Sequence, residues 1–245
     1  MKFTVIPLIF LVFFSFSAKS QMEEPKPKKF SFGVNFSPDY SYRSLNSNNP
    51  DYDLAMNQLN DWEVPAFGFT TGLSVWYLAN EKFEFESGIQ FSDKTYNFDV
   101  NEDDFEIPDN DLYQPDDPAI PERAITKNHF YYLGVPVKVN YYFLQKRIRM
   151  YVSAGISADF FLDAKSKTIM KFSDRTEIHE DFENDYDYNK ISLTGLAGFG
   201  AETNLSQRFG IRVEPVFRYS FTPILDELVK VNLYSAGLNV VVFYQ

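Results

Sequence analysis

The chain has no cysteine, only two histidines and only two tryptophans among its 245 residues. Without cysteine there is no disulfide, no thiolate metal site, no cysteine nucleophile and no lipid anchor on an N-terminal cysteine. Beyond the N-terminal segment, no apolar run reaches the roughly 18 residues that a membrane-spanning helix requires. The chain is therefore predicted either to be soluble after export or to cross a membrane as strands.

Positive charge is also scarce. The chain has 23 lysines and arginines against 34 aspartates and glutamates, which gives a net charge of −11 at pH 7. Such an acidic protein is a poor ligand for nucleic acid, whose phosphates repel it. The sequence has neither a glycine-rich phosphate loop nor a basic patch interleaved with aromatic residues. We therefore predict no nucleic-acid partner and no nucleotide cofactor.

Residues 1–20, MKFTVIPLIFLVFFSFSAKS, have the features of a secretory signal peptide. Lys2 supplies the positive start and an apolar run follows from Phe3 to Phe16. Ala18 and Ser20 then form a small-x-small cleavage signal before the next residue. The apolar run is shorter than the roughly 20 residues of a membrane-spanning helix, which argues against an uncleaved anchor. We predict that residues 1–20 are removed on export.

The rest of the chain is rich in aromatic residues, with 26 Phe and 16 Tyr in all. Apolar and polar residues alternate with a period of two in eight segments, and this alternation predicts strands. These segments are longer than the roughly 5–6 residues usual in soluble proteins, and long enough for a tilted strand to cross a bilayer in about 9–11 residues. The predicted strands are 29–38, 66–78, 82–92, 129–143, 147–162, 190–204, 207–221 and 230–245.

Long and short connections alternate between these strands. The short connections are 79–81, 145–146 and 205–206, and the long ones are 39–65, 93–128 and 163–189. The last connection, 222–229, is intermediate. This alternation predicts an all-β fold, an eight-stranded antiparallel up-and-down barrel with tight turns on one rim and three long loops on the other. Bacterial outer-membrane barrels are built in this way. No amphipathic helix is predicted after the signal peptide.

The segment HFYYLGVPVKVNYYF, residues 129–143, indicates which face of the strands meets lipid. Its odd-numbered positions from Tyr131 to Phe143 are all apolar or aromatic, whereas the even-numbered positions include Gly134, Lys138 and Asn140. The other segments repeat this pattern, although Gly195 and Leu196 exchange faces in the sixth. Apolar side chains are therefore predicted to face lipid, and polar side chains to face the barrel interior.

Aromatic residues are concentrated at the ends of the apolar faces, as expected at the interfaces of a bilayer. One predicted girdle, at the rim of short turns, contains Phe30, Tyr77, Phe83, Tyr141, Phe143, Phe209 and Tyr244. The other contains Phe36, Phe67, Phe91, Tyr131, Phe160 and Tyr219.

Charged residues on the polar faces form a predicted lumen charge network. Its members are Glu84, Glu86, Lys138, Arg149, Asp159, Glu202, Arg212, Glu214 and Arg218. The two signs are nearly balanced, and a charge inside a narrow barrel must be paired because an isolated one costs several kcal/mol. An eight-stranded barrel is just wide enough for side chains to fill it. We therefore predict a salt-bridged, closed lumen. Pro136 and Pro215 lie within strands, where each predicts a bulge or a local break in pairing.

The pattern resembles the small outer-membrane β-barrel family of Gram-negative bacteria described as PorT-like. The segments that carry the resemblance are FSFGVNFSP, YYLGVPVKVNYYF, RMYVSAGISADFFLDA and LNVVVFYQ. It implies an eight-stranded barrel in the outer membrane. Some relatives assist a secretion apparatus, so envelope or secretion-machinery proteins are candidate partners in addition to outer-membrane lipid. The resemblance does not predict a role within such an apparatus or an oligomeric state.

Little in the sequence points to catalysis. His129 and His179 are the only histidines, and no nucleophile-elbow motif accompanies Ser153 or Ser157. The segment 99–122 is strongly acidic. In DFENDYD, residues 181–187, the acids Asp181, Glu183, Asp185 and Asp187 alternate and are a candidate divalent-ion site, against the simpler interpretation of a solvated loop.

We therefore predict a signal peptide at 1–20, a periplasmic segment at 21–28 and a non-enzymatic outer-membrane barrel at 29–245. Its expected role is a structural or interaction component of the envelope, without a cofactor. Three alternatives remain open. They are a soluble lipocalin-like barrel that binds an apolar ligand, a hydrolase or acyltransferase active at the outer rim, and a narrow pore.

Overall fold

The computed structural model describes residues 28–47, 49–101, 121–181, 188–226 and 229–245. The strands are β1 (Phe30–Asn46), β2 (Glu63–Leu78), β3 (Phe83–Asn101), β4 (Arg123–Gln145), β5 (Arg149–Lys171), β6 (Thr176–Asp181), β7 (Ile191–Asn204), β8 (Phe209–Ser220), β9 (Leu225–Asp226) and β10 (Lys230–Tyr244). The eight long strands form a closed antiparallel ring in the order β1-β2-β3-β4-β5-β7-β8-β10, and β10 returns to pair with β1. The predicted eight-stranded up-and-down barrel is confirmed.

The predicted strands were too short at the rim of long loops. β1 continues to Asn46, β3 continues to Asn101, and β5 continues to Lys171. The charged residues in these extensions suggested loops, but the interior-facing Asp39, Arg43 and Lys94 are buried and paired with opposite charges. Two short strands, β6 and β9, pair with β5 and β10 beyond the ring.

The expectation of no helix was wrong in the first long connection. There a 3-10 turn at Pro50–Tyr52 leads into helix α1, Asp53–Trp62. Proline followed by an acidic residue is a helix-start signal, and Pro50 and Asp51 provide it here. Among the described residues, no helix is long and apolar enough to span a bilayer.

Side chains cap two of the tight turns at the opposite rim. The backbone N–H groups of Lys82 and Phe83 donate to the Asn80 side-chain oxygen at 2.9 and 3.0 Å. In the turn between β7 and β8, the N–H groups of Arg208 and Phe209 donate to the Ser206 hydroxyl at 3.3 and 3.1 Å. Asparagine and serine favour turns for this reason, so the sequence determines where each hairpin reverses.

The outer wall of the barrel is apolar. In β4, for example, Val137 and Phe143 are about half exposed, at 53% and 50%, whereas Lys138 and Asn140 are buried at 4% and 0%. A soluble barrel that binds an apolar ligand has the opposite arrangement, so the lipocalin alternative was wrong. The predicted interior and lipid faces are thereby confirmed for β4.

Aromatic rings on neighbouring strands pack in pairs at both ends of the apolar wall. Near the short turns, the Phe30 and Tyr77 ring centroids are 5.0 Å apart, and those of Phe83 and Tyr141 are 5.2 Å apart. Near the long loops, Phe91 and Tyr131 stack at 5.9 Å. Tyr131 and Tyr141 are ten residues apart in β4, which in a tilted strand corresponds to a height of about 25 Å, the height of an outer-membrane apolar band.

The strand register fixes the tilt of the barrel. A path through directly paired residues that starts at Ser31 passes Trp76, Glu86 and Lys138 and returns to the first strand at Ser41. The return point is ten residues further along β1. A stagger of this size over eight strands inclines them by about 40° to the barrel axis. Residues distant in sequence therefore meet at one height in the lumen.

Pro136 and Pro215 each interrupt pairing on one side of their strand without changing the register. Pairs between β3 and β4 are missing around Pro136, and pairs between β7 and β8 are missing around Pro215. The Ser87 hydroxyl donates to the Pro136 carbonyl at 2.9 Å across the first gap. The predicted local break is confirmed, whereas a bulge at these prolines is not observed. The register shifts lie elsewhere, at Pro65/Phe69, Tyr131/Tyr132 and Tyr142/Leu144.

Candidate functional site: the charged lumen and its capped mouth

The residues of the predicted lumen charge network all lie on the interior face of their strands. Eight of the nine are buried, and Arg149 is half-buried near the short turns. They form layers along the barrel axis, which we describe from the short-turn rim upward.

The lowest layer is centred on Arg212 of β8. Its guanidinium bonds both oxygens of Glu84 at 2.7 and 3.0 Å and also contacts Glu202 at 2.7 Å. Glu202 forms a second ion pair, with Arg149, at 2.8 Å. It also accepts a hydrogen bond from the Tyr142 hydroxyl at 2.9 Å. Two carboxylates and two guanidinium groups therefore bridge strands from opposite sides of the barrel.

Aromatic rings enclose the same guanidinium. The guanidinium carbon of Arg212, Cζ, lies 4.5 Å from the Trp76 ring centroid and 4.9 Å from the Phe243 ring centroid. Both rings are buried, with Val241 beside them. Arginine suits this position because its flat cation stacks on rings while its edge bonds carboxylates.

Lys138 occupies the next layer, and its contacts explain a lysine within an apolar strand. Its ammonium lies 3.1 Å from Glu86 Oε2 and 3.0 Å from Glu214 Oε2. Ser153 donates to the other oxygen of Glu214. The lysine thus holds two buried carboxylates from β3 and β8 together.

Two further ion pairs lie toward the long loops. Lys94 binds Asp159 at 2.9 Å, and Arg218 binds Asp39 at 2.8 Å. Thr70 donates to the second oxygen of Asp39 at 2.6 Å. Lys94 and Asp39 were not predicted, because the predicted strands ended at residues 38 and 92. The continued alternation of polar and aromatic residues in DYSYR, residues 39–43, was the available signal.

A third unpredicted pair, Arg43 and Glu63, is buried at the long-loop rim, with side-chain exposures of 2% and 1%. Glu63 lies four residues beyond Phe67 of the outer girdle and so outside the membrane-spanning part of β2. Burial raises the pKa of the Glu63 carboxyl to about 7, although the Arg43 guanidinium acts in the opposite direction.

Apolar side chains fill the barrel toward the long-loop rim, above the Lys138 and Arg212 layers, in a cluster that we call the aromatic cap. Strands β3, β4, β5, β9 and β10 and the segments that precede β7 and β9 contribute to it. The Phe130 and Tyr188 rings meet edge to face at 5.7 Å, and Tyr96 stacks on Phe130 at 5.7 Å. Its buried members are Phe130, Tyr132, Ala164, Tyr188, Ile224 and Leu233.

Every interior cation in the described part of the chain contacts a carboxylate, and the cap lies above the pairs formed by Lys138 and Arg212. The pairs are Arg43–Glu63, Lys94–Asp159, Lys138–Glu86, Lys138–Glu214, Arg149–Glu202, Arg212–Glu84, Arg212–Glu202 and Arg218–Asp39. Such paired groups fill the lumen of a small barrel with side chains.

The two histidines are not brought together. His129 lies on the outer face of β4, where its Nδ1 is 3.1 Å from Asp93. His179 pairs with Thr168 of β5 and lies 3.5 Å from Glu177 in β6. Ser153 and Ser157 are inside the barrel and donate to Glu214 and Asp159. None of these described contacts forms a serine-histidine-acid arrangement.

The candidate divalent-ion site lies almost entirely outside the described residues. Glu183, Asp185 and Asp187 fall in the segment that is not described, and Asp181 is described only as the last backbone position of β6. Within the described ranges, no cluster of three or more acids or histidines is arranged to hold a metal ion. The site stays a prediction.

Several solved outer-membrane structures are similar to this chain. Neisserial surface protein A is 14% identical, with 88% of this chain and 97% of that chain covered and a TM-score of 0.39. For OprG from Pseudomonas aeruginosa the values are 13%, 88%, 94% and 0.41. For Ail, the attachment invasion locus protein of Yersinia pestis, they are 15%, 87%, 99% and 0.33. No curated protein sequence matches the chain significantly.

A family model described as "Outer membrane protein beta-barrel domain" matches residues 19–226. The match covers most of the chain, and the closed barrel with its apolar outer wall agrees with it. The expected location in the Gram-negative outer membrane is thereby confirmed, and lipid surrounds the barrel wall. The chain belongs to the outer membrane protein beta-barrel domain family.

Proposed function

We propose that this protein is a closed, non-conducting and non-catalytic outer-membrane barrel that holds an extended sheet outside the cell as an interaction surface. The observation that carries the proposal is the filled lumen. Its cations contact carboxylates throughout the described part of the chain, and the aromatic cap occupies the outer mouth. A water-filled pore would need open space in both layers.

The lengths of the strands support the interaction role. β3, β4 and β5 pair with one another as far as Asn101, Arg123 and Lys171, well beyond Phe91 and Tyr131 of the outer girdle. A barrel that only sealed a membrane would need no such extension. A partner in the envelope, including a secretion-machinery component, would meet this sheet first.

The contacts of the histidines favour a non-catalytic role over a rim-active enzyme. His129 faces outward beside Asp93, and the interior serines donate to carboxylates. Replacing His129 and His179 together by glutamine should leave the lipid composition and surface proteolysis of intact cells unchanged. A change in either property would support the enzymatic alternative.

Planar-bilayer recording of the purified full-length protein tests the closed lumen. We expect no stepwise conductance above that of a bilayer treated with detergent alone. Discrete single-channel steps that scale with protein concentration would contradict the proposal. Cross-linking of intact envelopes followed by purification then tests the interaction role, with cross-links expected from residues of the extended sheet.

A further inference from the structure

We propose that a groove on the outer wall of the barrel, near the rim of short turns, binds one acyl chain of an anionic phospholipid from the periplasmic leaflet. The groove has a volume of about 410 Å³ and crosses strands β2, β1, β10 and β8. We call it the seam groove, because the pairing of β1 with β10 closes the barrel there. The outward side chains that line it are Phe32, Val34, Leu73, Phe209, Val242 and Tyr244.

Differences in side-chain size produce the seam groove. Val34 of β1 and Val242 of β10 are direct partners and lie side by side within it. Phe32 and Tyr244 are the next outward pair toward the short turns, and Leu73 of β2 is paired with Val34. The two valines are shorter than the rings and the leucine around them, so a depression remains in the wall. A flexible chain of methylene groups can follow such a depression.

The surroundings of the seam groove identify an acyl chain as its occupant. Its six outward side chains belong to the lipid face, and their exposed fractions range from 45% for Tyr244 to 64% for Leu73. Lipid surrounds this wall, so hydrocarbon chains are the molecules that reach it. An unfilled depression would forfeit van der Waals contacts for the side chains and for the lipid. Close packing of one chain in the groove restores those contacts.

The seam groove extends from the membrane interface into the hydrocarbon region. Phe209 and Tyr244 belong to the girdle at the short-turn rim, and their ring centroids are 5.4 Å apart. Leu73 lies four residues from Tyr77 of the same girdle along β2, which corresponds to about 10 Å of height in a tilted strand. The short turns of such barrels lie in the periplasm. A lipid bound here therefore has its headgroup at the periplasmic surface.

Basic residues lie at the periplasmic end of the seam groove. The Lys28 ammonium is 5.9 Å from the Tyr244 ring centroid, and Arg208 directly precedes Phe209. Both basic side chains are exposed. In a chain of net charge −11, this local positive charge suits the phosphate of an anionic headgroup. No acidic residue occurs in the segments around the groove, which are 28–36, 73–79, 205–211 and 238–245.

A tryptophan inside the barrel can report on the seam groove. Trp76 is buried in the lumen, and a Cβ placed on Gly33, which lines the groove, would lie 3.0 Å from its ring. The indole is therefore just inside the wall at the groove. Heavy atoms such as bromine quench tryptophan fluorescence at short range. The other tryptophan of the chain, Trp62, lies in helix α1 on the long-loop side.

Chain-brominated phosphatidylglycerol in phosphatidylcholine bilayers tests the proposal, in the W62F variant so that Trp76 is the only fluorophore. We expect this lipid to quench Trp76 at a low mole fraction, whereas brominated phosphatidylcholine should quench only in proportion to its mole fraction. Native mass spectrometry should show one retained phosphatidylglycerol per barrel. Equal quenching by the two brominated lipids at equal mole fraction would overturn the proposal. A lipid-free dimer whose Trp76 neither lipid quenches would also overturn it, and would assign the groove to a second copy.

Charge variants test the headgroup contacts. K28Q/R208Q should weaken phosphatidylglycerol binding about thirty-fold, the effect of two basic residues at an anionic lipid surface. The matched control is K146Q/R147Q, which removes one exposed lysine and one exposed arginine from the β4–β5 turn. Strands β4 and β5 do not line the groove, so the control should bind as the unaltered protein does. Equal affinities of the two variants would overturn the assignment to an anionic headgroup.

Filling the seam groove tests the chain contacts. V34F/V242F places larger side chains within the groove and should abolish the excess quenching by brominated phosphatidylglycerol. The control V135F/V137F enlarges two exposed valines on the lipid face of β4 and should leave that quenching unchanged. Persistent excess quenching in V34F/V242F would overturn the proposal. The comparison of the two brominated lipids uses an unaltered groove, so it decides the question even if a groove variant fails to insert.

Discussion

Lys138 shows how a single charged residue is tolerated inside a membrane protein. Its ammonium contacts Glu86 of the preceding strand β3 and Glu214 of β8, which is far from β4 in sequence. Removing one partner of a buried ion pair leaves the other charged and unsatisfied, at a cost of about 3–5 kcal/mol. Here a single substitution would leave two carboxylates facing each other.

We therefore expect Lys138→Met to lower the free energy of unfolding by about 3–5 kcal/mol. Urea unfolding of the protein in liposomes measures the change. Lys146→Met, in an exposed turn, should change stability by less than about 0.5 kcal/mol. The triple variant K138M/E86Q/E214Q should recover part of the loss, since it removes the uncompensated charges. Equal stability of the two single variants would show that the Lys138 ion pairs contribute nothing.

Because of Glu63, the stability of the long-loop rim should depend on pH. Its pKa is raised to about 7 in the folded protein from an ordinary value of 4.5, so the folded state holds the proton more tightly than the unfolded chain. This contribution to stability is fully present below about pH 4.5 and is lost as the pH rises through about 7. Hydrogen-exchange protection of 40–46 and 63–67 should therefore be lower at pH 8 than at pH 5.

The variants E63Q and E81Q separate this effect from a general one. Glu63→Gln has no proton to lose, so protection at the rim should no longer change between these pH values. Glu81→Gln alters an exposed acid at the opposite rim and should keep the pH dependence. If the pH dependence of protection disappeared in both variants, or persisted in both, Glu63 would be excluded as the cause of that dependence.

At the scale of the element, β4 passes through two environments on one face. Val137 lies in the apolar wall, whereas Ile125 lies twelve residues away in the extension, paired with Ile169 of β5. The chain has no cysteine of its own, so single cysteines report on these positions without interference.

Ile125→Cys should react with a membrane-impermeant maleimide on intact cells, and Val137→Cys should react only with a lipid-soluble reagent. Lys138→Cys, on the interior face, is the matched neighbour and should react with neither in the folded barrel. Labelling of residue 138 by the lipid-soluble reagent, with residue 137 spared, would invert the assignment of faces.

The sequence predicted the faces of β4 but not the partners of its charges. The alternation around Lys138 is local, so it is visible in a single segment. The bond from Lys138 to Glu214 depends on the ten-residue stagger of the whole ring, which no segment contains. The ends of strands were missed for another reason: Asp39, Arg43 and Lys94 are charged, and a single segment does not show whether such residues lie in a loop or are paired inside an extended strand. Helix α1 was missed because ten residues show too little periodicity.

At the scale of the whole molecule, the lumen has two independent barriers. The ion pairs around Lys138 and Arg212 lie below the aromatic cap, and the two share no residue. Opening one should therefore leave the other in place.

We expect the cap variant F130A/Y132A and the ion-pair variant E84S/K138S/R212S/E214S each to stay silent in planar bilayers, and the combined variant to conduct ions. The control, F143A/V137A, removes similar volume from the lipid face and should not conduct. Conductance from the cap variant alone would place the only barrier in the cap.

The strands end at different heights above the outer girdle, so one side of the barrel extends further from the membrane than the other. β4 begins eight residues beyond Tyr131 of the outer girdle, whereas β8 ends one residue beyond Tyr219. An antibody or a phage tail fibre that arrives from the medium therefore meets the extended strands on one side of the barrel, and strands that end near the membrane surface on the other. The orientation of the barrel relative to its neighbours in the outer membrane therefore decides which extracellular molecules can contact it.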